Sequence, residues 1–221
     1  MRLVRLVRRR RVNKPRMAFE RLAALAVWLL LLGVAFGFAP PSSPDTNDVI
    51  VKMMTGRLEG VNLPLFALFN LMGVFPLAFL ALLAFDAPSQ KVPKWPFVLG
   101  SFALGAFVLL PYLVLRQWNL PRREATSWWL RGLGSRWLAF ALCGAALALV
   151  GLFVTQDVGG FVALFRTQQF PFVMSFDFVA CCLAGSLLAR EEAHVRGQPA
   201  LARWGLLPAV GLPLVLALRR R

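Results

Sequence analysis

LPLFALFNLMGVFPLAFLALLAF, residues 63–85, decides the fold. It runs from end to end without a charged residue. Some 18 or more such residues are enough for a helix to cross roughly 30 Å of hydrocarbon. The run follows neither the period of 2 of a half-buried strand nor the 3.6 period of an amphipathic helix.

Comparable apolar blocks lie on either side of it, at 18–38, 96–115, 137–154, 171–189 and 202–218. The last is the weakest. It has 17 residues and carries Pro208 and Pro213. Proline is tolerated in a membrane helix when neighbouring groups satisfy the freed backbone. The expected fold class is therefore all-α, a polytopic integral membrane protein with about six transmembrane helices in one membrane domain.

Composition agrees. The chain is 58% hydrophobic and 16% charged, against about 45–50% and 25% in soluble domains. A net charge of +15 on a soluble protein would suggest nucleic acid. Here the basic residues flank the apolar blocks, so the expected partner is the lipid bilayer, with no nucleic acid. Trp95, Trp118, Trp128, Trp129, Trp137 and Trp204 fall beside the blocks and read as an aromatic belt. Residues 125–138 read as a short helix in the interface. Residues 158–165 read equally well as a second interface helix or as a loop. Cys143, Cys181 and Cys182 lie within apolar blocks and read as small packing residues.

Residues 1–17 form a basic extension. It reads either as an amphipathic anchor or as translated upstream sequence absent from a chain that starts at Met17. A signal peptide cleaved near Ala39 is a third reading. Orientation depends on this choice. With six crossings and cytoplasmic termini, 15 Lys and Arg fall inside and 10 outside; without residues 1–16 the counts are 7 and 10.

ALFNLMGVFPL (67–77), PKWPFVLGSFALGAFVLLPYLVLR (93–116) and FVMSFDF (172–178) resemble a family of uncharacterised multi-pass membrane proteins of cyanobacteria and plant chloroplasts. The resemblance covers roughly residues 20–190, and W-P-F and L-P-Y are its more specific pieces. It implies a photosynthetic organism and a bacterial inner, thylakoid or plastid membrane. It implies no activity.

Asp177 is the one acidic residue well inside a block. A carboxylate within a membrane is costly and therefore a functional candidate by default. Counted from Pro171, it lies about 9 Å along a helix axis. That is shallow enough for a carboxylate that only sets depth and packing. A proton or cation site and a carboxylate that docks a partner subunit are the alternatives. Ser175, Asn70, Ser101 and Tyr112 are its available polar company, and Asn70 facing Asp177 is the sharpest constellation. Asn70 alone reads as a generic interhelical hydrogen bond.

Small residues recur four apart at Gly33 and Gly37, at Ser101 and Gly105, and at Gly144 and Ala148. They read as close-packing faces within the chain, with a homodimer through Gly33 and Gly37 as the second reading. Glu191 and His194 show the i, i+3 spacing of di-iron bundles, but one pair beside arginines reads as a solvated connection.

No set of converging catalytic groups, metal ligands or cofactor motif is visible, so the expectation is no enzyme, no metal and no cofactor. The leading expectation is a structural, accessory or assembly role, beside other membrane-complex subunits and, given the resemblance, photosynthetic complexes. The alternative is a small-solute or proton-coupled transporter using Asp177 and Asn70.

Overall fold

A computed structural model of the chain describes residues 14–87 and 89–220. The described residues are helix and connection, with no strand. The elements are α1 (Lys14–Gly37), α2 (Thr46–Thr55), α3 (Leu63–Leu83), α4 (Trp95–Leu115), α5 (Trp128–Leu133), α6 (Arg136–Thr155), α7 (Val158–Thr167), α8 (Gln169–Val195), a 3₁₀ helix (Pro199–Leu206) and α9 (Gly211–Leu218). The basic extension lies mostly outside the described residues.

Five helices are long and apolar enough to cross a membrane: α1 over Ala18–Gly37, α3, α4, α6 and α8. α1 and α6 leave large apolar side chains bare along their length, among them Leu22, Leu30, Phe36, Phe140 and Leu147. Lipid tolerates such a surface, and water does not.

α4 is not a straight helix. Gly105 sits in its middle at φ 51° and ψ −130°. On a straight helix Phe97 and Tyr112 would lie about 22 Å apart. Their ring centroids are instead 5.5 Å apart. A Cβ added to Gly100 would meet Val108 Cγ1 at 2.9 Å, a pair that a continuous helix keeps more than two turns apart. The two limbs, 95–104 and 106–115, therefore double back on each other. Each is about 15 Å long, half the depth of a bilayer core. Gly100 lets the limbs touch, and Gly105 takes the left-handed turn that other residues resist.

The block 202–218 also departs from expectation. Instead of one helix it forms the C-terminal part of the 3₁₀ helix, a turn with Ala209 at φ 60°, and the short α9. Both ends of this excursion meet: the Arg220 N–H donates to Gln198 Oε1 at 2.6 Å. Ser186 Oγ donates to Gly205 O at 2.7 Å, tying the descending arm to α8. Pro208 and Pro213 are consistent with this break, because each lacks the N–H that a continuous helix needs.

Among the described residues, then, α1, α3, α6 and α8 run the length of the bundle, and two hairpins enter from the same end. At that end are Arg21, Asp86, Arg116, Arg122, Glu191, Glu192 and Arg219. At the other, Asn62 Nδ2 donates to Asp157 O, Gln169 N–H donates to Pro41 O, and Met53, Leu65, Phe161 and Met174 pack together. The central core joins Phe75, Phe79, Leu82, Leu109, Leu113 and Leu188.

Residues 158–165 are helical, within α7. The interface helix shrinks to Trp128–Leu133. Trp118 is not a belt residue: it is 1% exposed and its ring lies 4.9 Å from the Arg116 guanidinium carbon. Gly33, Gly37 and Gly144 face outward with nothing within 4 Å of an added Cβ, so they are not packing faces within the chain.

Candidate functional site

Asp177 lies eight residues into α8, about 12 Å along its axis. Its Oδ1 accepts the backbone N–H of Ala106 at 2.8 Å. Ala106 opens the second limb of α4, so its N–H is one of the donors a helix start leaves unsatisfied. Asp177 thus caps a half-helix from another element, and the positive end of that limb favours the carboxylate charge. An added Cβ on Gly105 would fall 2.0 Å from Asp177 Oδ2, so the approach requires glycine twice over. Among the described residues no donor meets Oδ2.

A pocket of about 360 Å³ opens at this tip. Asp177, Ser101 and Gly105 line its polar part. Phe69, Phe102, Phe107 and Phe170 are its aromatic walls, with Met72 and Met174 between them. Asp177 is its one ionisable group and is itself 7% exposed. The tip residues Ala103 and Leu104 are exposed at its mouth.

Of the polar companions expected for Asp177, only Ser101 lines this pocket with it. Ser101 Oγ donates to Val98 O at 2.7 Å. Asn70 does not line this pocket; its amide donates back to Phe66 O at 2.9 Å, within α3. Ser175 likewise donates to Pro171 O at 2.7 Å. Tyr112 lies at the base of the hairpin, where its hydroxyl donates to Asp86 Oδ2 at 2.7 Å.

Pro111 would break the second limb if left alone, because it has no N–H for the carbonyl of Phe107. The indole of Trp28 on α1 supplies the missing donor, Nε1 to Phe107 O at 3.1 Å.

The base of the hairpin holds a cluster that sequence reading missed. Arg116 is 0% exposed. It donates from Nη1 to Glu191 Oε2 at 2.8 Å and from Nη2 to Asp86 Oδ1 at 2.9 Å. Arg122 donates to Glu192 Oε2 at 2.9 Å and Glu191 Oε2 at 3.0 Å, and also to Asp86 Oδ1. Arg219 donates to Glu192 Oε1 at 2.7 Å. The Asn119 N–H donates to Glu191 Oε1 at 2.6 Å, and Arg21 donates to Arg116 O at 3.0 Å. Burial works against the charge on Arg122, but Glu191, Glu192 and Asp86 surround it and hold its pKa above the ordinary arginine value.

Glu191 and Glu192 are therefore not part of a solvated connection. α8 continues through them, and both are fully buried as the counter-ions of four arginines, Arg116, Arg122, Arg196 and Arg219. The oxygens of Glu191 are taken by Arg116, Arg122 and Asn119, which leaves none for a metal shared with His194. The cluster clamps the base of each hairpin to the end of α8, the first through Arg116 and the second through Arg219. Its sequence signal was weak but present: acidic and arginine residues sit directly at the ends of apolar blocks, where each alone reads as an interfacial charge.

No family model matches the chain, and neither a curated protein nor a solved structure matches it.

Proposed function

We propose that this chain is an integral membrane protein that binds a small solute at the tip of its first hairpin and passes it across the bilayer. One observation carries the reading: a carboxylate caps a broken helix on the wall of an apolar pocket. Membrane transporters place binding sites at such interruptions, because a half-helix end brings unsatisfied backbone groups to mid-membrane depth. A pocket of about 360 Å³ is within the range that takes a small molecule. The two clamped hairpin bases supply a rigid frame, so that movement is left to the tip.

Charge supports one orientation. Of the Lys and Arg between residues 18 and 220, only Lys52, Arg57 and Arg166 sit toward the α2 and α7 end; the other thirteen sit toward the ion cluster. By the positive-inside rule the cluster end faces the cytoplasm, or the stroma of a plastid. This preference holds whether the native chain starts at Met1 or at Met17, because neither hairpin carries its following loop across the membrane.

The test is native mass spectrometry of the protein purified from its own membranes, beside a Gly73→Leu variant. Gly73 lines the pocket and has open space around it, so leucine there fills the cavity. A small molecule that travels with the wild type, is missing from the variant and is taken up by proteoliposomes supports the reading. A ligand-free wild type with stoichiometric membrane subunits supports an accessory role instead. That second reading has its own observation, the outward-facing Gly33 and Gly37 on α1, with Gly144 and Ala148 on α6, where another helix can approach closely. A photosynthetic membrane as its setting rests on the family resemblance alone.

A further inference from the structure

From the composition of the tip pocket we infer that its ligand is a small organic cation, an amine or quaternary ammonium carried on an apolar body. The inference rests on the solute-binding reading and names its substrate class.

Three features of the pocket converge on it. The single ionisable group on its wall is a carboxylate, and no Lys, Arg or His joins it there. The N-terminal end of the 106–115 limb and the Ala106 N–H both stabilise negative charge on that carboxylate against the cost of its burial. Oδ1 is committed to Ala106, but Oδ2 has no donor among the described residues, so one oxygen is left for a ligand. Most of the remaining wall is Phe69, Phe102, Phe107, Phe170, Met72 and Met174, with small and aliphatic residues between them. Aromatic faces attract cations through the ring quadrupole, and more strongly once water is removed. An anion would meet Asp177 with no compensating charge. A purely apolar ligand would leave Oδ2 buried and unpaired, at a cost a cation avoids. A bare metal ion would find one carboxylate and one hydroxyl among carbon walls, far short of a ligand shell.

The experiment is equilibrium dialysis of three probes against the full-length protein in nanodiscs. Benzyltrimethylammonium is the cation, N,N-dimethylbenzamide a neutral molecule of similar size, and phenylacetate the anion. The cation is expected to bind about tenfold more tightly than the amide, and phenylacetate more weakly than either. Asp177→Asn keeps an oxygen to accept from Ala106 while removing the charge. It is expected to weaken the cation by about tenfold and so abolish the preference for the cation over the amide. Gly73→Leu is expected to exclude both. Equal binding of cation and amide in the wild type, or an unchanged cation preference in Asp177→Asn, overturns the inference and leaves the pocket as a solute site. Failure of all three probes, with Gly73→Leu indistinguishable from wild type, overturns the solute reading with it.

Discussion

Asp177 and Ala106 are 71 residues apart in sequence and 2.8 Å apart in space, carboxylate oxygen to backbone nitrogen. This bond holds the tip of the first hairpin against α8. Removing the acceptor while keeping the fold is the most direct way to weigh it. Asp177→Ala is expected to lower stability by about 0.5–2 kcal/mol, the usual cost of losing a helix cap. Asp177→Asn, which still accepts, should lose much less. Thermal unfolding of both variants in detergent, followed by tryptophan fluorescence, reads the difference. Equal losses would show that charge rather than capping holds the tip.

Gly105 faces the same carboxylate. Alanine there meets a left-handed backbone and a Cβ placed 2.0 Å from Asp177 Oδ2. Gly105→Ala is expected to cost several kcal/mol, above the roughly 1–2 kcal/mol of a simple left-handed strain. Shortening the neighbour in Asp177→Ala/Gly105→Ala should recover the part due to the clash. A double-mutant cycle with no coupling would remove Asp177 from the turn.

Trp28 and Pro111 form a second testable pair. Trp28→Phe leaves the Phe107 carbonyl without its donor and should cost about 1–3 kcal/mol. In a Pro111→Ala background the limb regains its own N–H, so the same Trp28→Phe change should cost clearly less. The cycle is measured by unfolding temperature, and strictly additive losses would break the link.

The ion cluster should be unforgiving. Arg116→Met leaves Glu191 and Asp86 buried with fewer counter-charges. Breaking a buried pair from one side costs about 3–5 kcal/mol. The expected result is sharply reduced accumulation in the membrane, whereas Arg131→Met, on the short α5 and outside the cluster, should accumulate normally. Wild-type levels of Arg116→Met would show the cluster to be dispensable for folding.

Topology gives the plainest prediction. If α4 doubles back, Lys91 before it and Glu124 after it lie on the same side; if it crossed, they would lie on opposite sides. Single cysteines at Lys91 and Glu124 are expected to react with an impermeant maleimide from the cytoplasmic face, and one at Glu59 from the opposite face. Cys143 and Cys181 are buried, and the partly exposed Cys182 is first replaced by alanine so that the background is low. Opposite labelling of Lys91→Cys and Glu124→Cys would refute the hairpin.

Much of this protein is local in origin and was legible as such. Apolar blocks such as 63–85 and 137–154 declare helices because the transfer of each side chain to hydrocarbon depends on that side chain and not on its partners. The Lys and Arg flanking the blocks, and Asp177 as the unusual carboxylate, are read in the same residue-by-residue way. Partnership is different. Asn70 was a reasonable companion for Asp177, yet its amide is satisfied one turn away at Phe66 O. The EEAH stretch looked solvated because nothing near it in sequence shows Arg116 or Arg219 arriving.

The sequence by itself therefore determined the class: all-helical, apolar enough for a membrane, and sparing in its intramembrane polar groups. Only the tertiary structure decided that residues 95–115 fold back on themselves, and that residues 199–218 do the same. The reason is a degeneracy in length. A 21-residue apolar segment satisfies a bilayer equally well as one crossing or as two half-crossings. What breaks the tie is whether the backbone groups exposed at the turn find partners. Those partners, Asp177 for Ala106 and Trp28 for Phe107, come from helices far away in the chain.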